Sequence, residues 1–234
     1  MKMKTSNKII VGLMSFILIM MFTTTLLLKA EYKKRLNLKI DEYSNLLNEK
    51  VGGFSEVKIL GHKTYPVFVQ SSSSYGLKVS EEMKSNKAFR YVVKDSVLTI
   101  DFSNGDSDPG DVNSNDRTAI VVLCPKLKEV TFSGVRGRVK GLTVSDLSVN
   151  VRNKATALFY RNTIGNIKIS SDTIDSAVEI YKGNKIDNLT LDMQAHGGSF
   201  LADNVLFKSL KMNVSDSIEV TLKGKSLGFL RSRQ

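Results

Sequence analysis

A single cysteine, Cys124, in 234 residues excludes an internal disulfide framework and any site built from several thiolates. It follows the apolar run Ala119-Ile120-Val121-Val122-Leu123, so it reads as a small buried hydrophobe and not a nucleophile. Histidine is nearly as scarce. His62 lies in Gly61-His62-Lys63 and His196 in Gln194-Ala195-His196-Gly197-Gly198, turn-like contexts in which no acid or nucleophile is named beside them. Only three prolines occur, and beyond Gly53 there is no long helical pattern. Gly134-x-x-Gly137 and Gly197-Gly198 lack the strand–loop–helix setting of a phosphate-cradling loop. The available acid pairs, Asp172/Asp175, Asp187/Asp192 and Asp203/Asp216, fall mostly at turns, where carboxylates serve solubility.

The remaining segment with ligand chemistry is 103–116, SNGDSDPGDVNSND. Its Asp106, Asp108, Asp111 and Asp116 offer the hard oxygens that calcium takes. Gly110 and Asp111 stand in the wrong order for an EF-hand, however, and no bidentate Glu closes the loop. A flexible acidic loop is the competing reading. The sequence thus names no catalytic, cofactor-binding or metal-ligating residue, and an enzyme is not expected.

What is present is first a hydrophobic run. Residues 9–28, IIVGLMSFILIMMFTTTLLL, carry no charge, and as a helix they span about 30 Å, the hydrocarbon thickness of a bilayer. Thr23, Thr24 and Thr25 are tolerable there because their hydroxyls can bond back to helix carbonyls. The rival is a cleaved signal peptide, whose apolar core is shorter and whose cut needs small residues. A cut after Ala30 would place Leu28 at the −3 position, so an uncleaved anchor is expected.

The net charge of +11 is uneven. Residues 1–50 hold nine Lys/Arg against four Asp/Glu, and residues 51–234 hold 25 against 19. The excess flanks the apolar run, where it suits lipid headgroups better than bases. Nucleic-acid binding is not expected. Lys2, Lys4 and Lys8 precede the run while Lys29, Lys33, Lys34, Arg35 and Lys39 follow it, which leans toward a cytoplasmic C-terminus. Over residues 31–50, Leu36, Ile40, Tyr43 and Leu47 recur at helical spacing, predicting an amphipathic juxtamembrane helix that ends at Gly52-Gly53.

Beyond Gly53 the period changes to two. Short alternating runs occur at Val57–Leu60, Val67–Gln70, Leu77–Val79, Phe89–Val93 and Val97–Phe102, with Lys94-Asp95 as a hairpin turn. A pattern apolar-x-x-apolar-x-apolar then recurs at Leu127/Val130/Phe132, Val144/Leu147/Val149, Ile164/Ile167/Ile169, Ile186/Leu189/Leu191 and Phe207/Leu210/Met212. Its starts are 17, 20, 22 and 21 residues apart. Each copy from the second on is followed by a polar break and a second short run: Ala155–Phe159, Ala177–Ile180, Phe200–Ala202 and Ile218–Leu222. Two short strands per period of about 20 residues are what a β-solenoid needs, because a coil cannot bury its apolar face alone. A β-sandwich of hairpins is the competing architecture. In the solenoid, Ile167 and Leu189 face inward while Lys168 and Thr190 face out. Tyr160, Tyr181 and Phe200 fall in successive second strands and form a candidate sugar-stacking stripe, with Phe200 equally apt for the core.

The order Phe54-x-x-Val57-x-Ile59, Val67-Phe68-Val69, Leu77-x-Val79, Leu98-Thr99-Ile100 and Leu127-x-x-Val130 with repeated Leu-x-Val units resembles the bacterial family called the autotransporter adhesin head GIN domain, over about residues 54–225. The resemblance implies a β-solenoid-like domain held outside the cytoplasm, against the flank charges.

The expected organisation is a basic tail (1–8), a transmembrane signal anchor (9–28), an amphipathic helix or linker (29–52) and an all-β, GIN-like solenoid (53–230). The expected function is a non-enzymatic, adhesin-like interaction module. It sits in the inner membrane as a single-pass protein with a periplasmic or otherwise extracytoplasmic C-terminal domain. Its partners would be the bilayer, through residues 9–28, and a polysaccharide or protein on the solenoid face, with no cofactor. Alternatives are a carbohydrate-active enzyme on a β-helix scaffold, or an accessory or sensory subunit of a membrane complex.

Overall fold

The structure, a computed structural model, describes residues 5–37, 43–62, 65–104 and 118–228. The chain divides into two compact units, Met1–Ser44 and Asn45–Gln234.

The first unit is the helix α1 (Thr5–Asn37), with a 24-residue apolar stretch, Ile9–Tyr32, long enough to cross a bilayer. None of that stretch is buried against protein. Thr23, Thr24 and Thr25 donate their hydroxyls to the carbonyls of Ile19, Met20 and Met21 at 2.7, 2.9 and 2.8 Å. No hydroxyl in this threonine run is therefore left bare among the apolar side chains. The helical spacing read over residues 31–50 does not persist to its end. Leu47–Glu49 is instead a strand, β1, paired antiparallel with β4 (Gly76–Val79). A short helix is marginal without packing, whereas here a ladder partner is at hand.

The second unit is mostly strand, arranged in two sheets. One has nine strands in the order β1, β4, β7 (Ile120–Cys124), β3 (Pro66–Ser71), β9 (Arg136–Lys140), β11 (Thr156–Tyr160), β13 (Ser176–Ile180), β15 (Gly198–Asp203) and β17 (Ile218–Lys223). The other has eight, in the order β16 (Ser209–Val214), β14 (Lys185–Met193), β12 (Thr163–Ser171), β10 (Thr143–Arg152), β8 (Glu129–Ser133), β2 (Glu56–Leu60), β6 (Val97–Asp101) and β5 (Arg90–Lys94). Neither sheet closes on itself. From β8 onward the chain alternates strictly between the sheets, so each strand pairs in parallel with the strand two elements away.

The register follows from alternation. Val149, Ile169, Leu191 and Met212 are successive partners, as are Leu147, Ile167, Leu189 and Leu210. Copies two to five of the repeat therefore align as the pattern predicts. The first copy is offset by two residues: Val130 pairs with Val149, and Phe132 with Val151. A two-residue slip keeps every side chain on its own face, so the pattern could not distinguish the two registers.

The facing sheet stacks Gly137, Ala157, Val178 and Phe200 in one column and Val139, Phe159, Ile180 and Ala202 in the next. The core lies between the sheets and draws on both. Packing across it is size-matched. A Cβ on Gly137 would lie 2.2 Å from the Phe132 ring, so the glycine of one sheet is the socket for the phenylalanine of the other.

Strand β9 had no sequence signal. Its outward residues, Arg136, Arg138 and Lys140, are charged, and one of its two inward residues is Gly137. The hairpin between β5 and β6 is present, with its turn one residue later than expected, at Asp95-Ser96. Both residues have positive φ, 52° and 62°, as a type I′ turn requires. A short helix, α2 (Glu81–Ser85), interrupts the all-β reading and is capped by Ser80, whose hydroxyl accepts the Met83 N–H at 3.2 Å.

The corners repeat as faithfully as the strands. Gly141, Arg161, Gly183 and Asn204 each have positive φ where one strand hands over to the next sheet. The residue after each points inward: Leu142, Asn162, Asn184 and Val205 are all buried. Asn162 Oδ1 accepts the Leu142 N–H at 2.9 Å, Asn184 Oδ1 accepts the Asn162 N–H at 3.0 Å, and Ser226 Oγ accepts the Val205 N–H at 3.0 Å. Each side-chain oxygen thus satisfies the buried corner amide of the preceding layer.

Candidate binding groove on the eight-stranded sheet

The outer face of the eight-stranded sheet carries three polar columns. Asp146, Asn166, Asn188 and Ser209 are register partners, as are Ser148, Lys168, Thr190 and Lys211, and Asn150, Ser170, Asp192 and Asn213. Hydrogen bonds run along the columns, across strands. Asn166 Nδ2 donates to Asp146 Oδ1 at 2.7 Å, and Asn188 Nδ2 donates to Asn166 Oδ1 at 2.9 Å. In the third column Ser170 donates to Asn150 Oδ1 at 2.7 Å, and Asn213 donates to Asp192 Oδ1 at 3.1 Å. The Asn166 amide, followed by the Ser145 hydroxyl, holds the Asp146 carboxyl below its ordinary range. It therefore stays ionised as the ladder's terminal acceptor.

A groove of about 950 Å³ crosses these strands near their N-terminal ends. It is lined by Lys126, Lys128, Lys168 and Lys211 and by Thr143, Ser145, Ser148, Thr190 and Ser209, and beneath it lie the buried core residues Leu127, Leu147, Ile167 and Leu189. The outward pair of polar residues in each copy follows from the apolar-x-x-apolar element. Between Val144 and Leu147 strict alternation is broken, and the pairing of β10 with β12 passes over Ser145 and Gly165. Alanine is excluded at Gly165, where a Cβ would lie 2.6 Å from the Ser145 carbonyl oxygen. Among the described residues Asp146 is the one carboxylate lining the groove.

The other face is built differently. On the nine-stranded sheet Arg138 lies 5.0 Å over the Phe68 ring, a cation–π geometry. Tyr160 and Tyr181 stack with centroids 5.0 Å apart and planes within 8°, and the Tyr181 hydroxyl donates to Glu179. Phe200 is fully buried, so the aromatic stripe contracts to two tyrosines.

The remaining sequence candidates are dispersed. His62 and His196 are exposed and bond to the Ser103 carbonyl at 2.7 Å and the Ser217 hydroxyl at 3.3 Å. Asp172, Asp175 and Asp187 pair with Arg152, Lys154 and Lys208 at 3.4, 3.8 and 3.0 Å. Asp203 accepts from Asn204 at 2.8 Å. Asp106, Asp108, Asp111 and Asp116 lie outside the described residues. Among the described residues no cluster of three or more metal-ligating His, Cys, Asp or Glu side chains is found.

Cys124 is buried, and burial pushes its thiol up to about 12. The nucleophilic thiolate is therefore suppressed at neutral pH. An aromatic disulfide reagent at pH 8 should leave the native chain unlabelled for hours and label one thiol on denaturation. Rapid labelling of native protein would contradict the burial.

The fold and face together define a two-sheet, largely parallel β protein with a polar outer wall. No protein-family model matches the chain, and no curated protein matches it. Solved structures do. A "putative adhesin" from Bacteroides fragilis superposes with a TM-score of 0.50 at 14% identity, covering 76% of this chain and 95% of its own. A "putative lipid binding protein" from Parabacteroides distasonis gives 0.39 at 12% identity, covering 77% and 96%. A "putative cell adhesion protein" from Clostridium sporogenes gives 0.29 at 13%, covering 76% and 99%. At these identities the first comparison establishes a shared fold, and nothing is drawn from the other two.

Proposed function

We propose that the chain is a single-pass protein of the inner membrane. In this reading α1 is an uncleaved anchor and the β unit is a GIN-type β-solenoid displayed outside the cytoplasm. The unit acts as a non-enzymatic, adhesin-like binding module. The observation that carries the proposal is the parallel pairing of β10, β12, β14 and β16 at offsets of 20–22 residues. That pairing supports the coil repeat of a solenoid, and it turns single polar side chains into columns on one face. The fold shared with the Bacteroides fragilis protein, whose description is "putative adhesin", agrees with this role. The 24-residue apolar stretch and its back-bonded threonines suit a bilayer, and display outside the cytoplasm follows the GIN resemblance over the flank charges.

The test is an alkaline phosphatase reporter, active only outside the cytoplasm, fused after Gln234. The expected result is full reporter activity in the membrane fraction. An inactive reporter on an intact, membrane-bound fusion would overturn the topology and the adhesin-like role with it.

A further inference from the structure

Four lysines around one groove are an electrostatic anomaly. Lys126, Lys128, Lys168 and Lys211 are all exposed, and none forms an ion pair among the described residues. Two other cations of this sheet have acidic partners: Lys208 pairs with Asp187 and Arg152 with Asp172. The carboxylate of Asp146 is already an acceptor for Asn166. The groove therefore concentrates positive potential, and an anionic ligand relieves the repulsion among its lysines.

The geometry narrows the anion. Strands lie about 4.8 Å apart, so the Ser148 column presents a hydroxyl or ammonium group at that interval across four strands, and the Asp146 column an amide or hydroxyl across the last three. A matching ligand is linear and repeats at a comparable rise, as a chain of pyranose units does. A bilayer is planar and cannot follow a groove. An acidic peptide would bind best by adding to a sheet edge, but β10, β12 and β14 are paired on both sides. Single-stranded nucleic acid wants aromatic platforms, and among the described residues no aromatic side chain lines the groove.

We propose that this groove binds a linear acidic polysaccharide, with its carboxylate or sulfate groups on the four lysines and its hydroxyls on the Asn166–Asn188 ladder. The proposal rests on the displayed-module reading above and adds the ligand class.

The experiment uses the full chain in zwitterionic detergent and measures equilibrium binding to polygalacturonate, dextran sulfate, neutral dextran, polyglutamate and oligodeoxythymidylate. Saturable binding to either acidic glycan is expected, falling with salt, with neutral dextran and the two other polyanions at least roughly tenfold weaker. Replacing Lys168→Gln and Lys211→Gln together should weaken glycan binding roughly tenfold or more. Asn188→Ala, which leaves the charge untouched, should weaken it about threefold. All three side chains are exposed, so thermal midpoints should match the parent and report that the variants fold. Binding of neither acidic glycan would overturn the assignment, as would equal affinity for polyglutamate or oligodeoxythymidylate. So would a lysine double variant that binds like the parent. Any of these results beside an active topology reporter removes the ligand assignment alone, whereas an inactive reporter removes the module reading.

Discussion

Asn162→Ala should lower the stability of the β unit by about 3–5 kcal/mol, seen as a fall in thermal midpoint of roughly 10 °C. The residue is fully buried. Its Oδ1 accepts the Leu142 N–H at 2.9 Å, and its Nδ2 donates to the Val139 carbonyl at 3.0 Å and to Asn184 Oδ1 at 2.9 Å. Truncation strands a buried backbone donor and a buried backbone acceptor together, each costing about 1–3 kcal/mol. It also interrupts the chain of side-chain oxygens that links successive corners. Asn162→Asp should not rescue, because it places an oxygen against the Val139 carbonyl where the amide donated. A midpoint within about 2 °C of the parent would mean that the corner ladder contributes little.

Leu189→Asp should abolish folding, while Thr190→Asp, one residue on, should pass nearly unnoticed. Leu189 is buried between its register partners Ile167 and Leu210. The substitution forfeits about 1.5–3 kcal/mol of apolar burial and adds several kcal/mol for an ionised carboxylate taken out of water. Together these consume most of a typical domain stability of about 5–15 kcal/mol. Thr190 faces solvent, and its change should fall within about 0.5 kcal/mol. Limited proteolysis of membrane fractions separates the two: complete digestion of the first variant against parent-like resistance of the second. Equal resistance would show that these side chains do not line an inner column.

The strands were legible because alternation and burial are local consequences of one another. Four of the five repeat copies even carried their register, since the x-x interruption marks a fixed point in each strand. The groove's amide ladder was not singled out, although its signal was present. Asp146, Asn166 and Asn188 each stand one residue before the central apolar residue of their copy, and the 20- and 22-residue offsets bring them together. Three things were not legible. Strand β9 hides behind Arg136, Gly137 and Arg138, because a glycine socket carries no hydrophobic signal. The inward asparagines Asn162 and Asn184 look like turn residues, and only the buried corner shows that their amides replace backbone partners. The order of the first strands was also unreadable. The chain lays down β2 and β3, builds β6 and β7 on one side of them, and then crosses to β8 and β9 on the other. Pairing order is a global choice among strands of similar pattern, and local periodicity does not encode it.

The two ends of the stack differ in kind. At one end each sheet finishes in antiparallel strands, β1 and β4 in one and β5 in the other. At the other end β16 and β17 are the outermost strands of their sheets among the described residues, and Met212 and Val220 are partly uncovered. Lys211, Glu219 and Lys223 interrupt those rims with charge, which discourages stray strand addition. Because each layer leans only on its neighbours, gene-level duplication of a 20–22-residue unit at this rim would lengthen the protein by one storey and leave the rest unaltered. A further parallel layer can thus continue the ladder at the C-terminal rim, whereas the other end finishes in antiparallel strands, and relatives of different length should differ at that rim first.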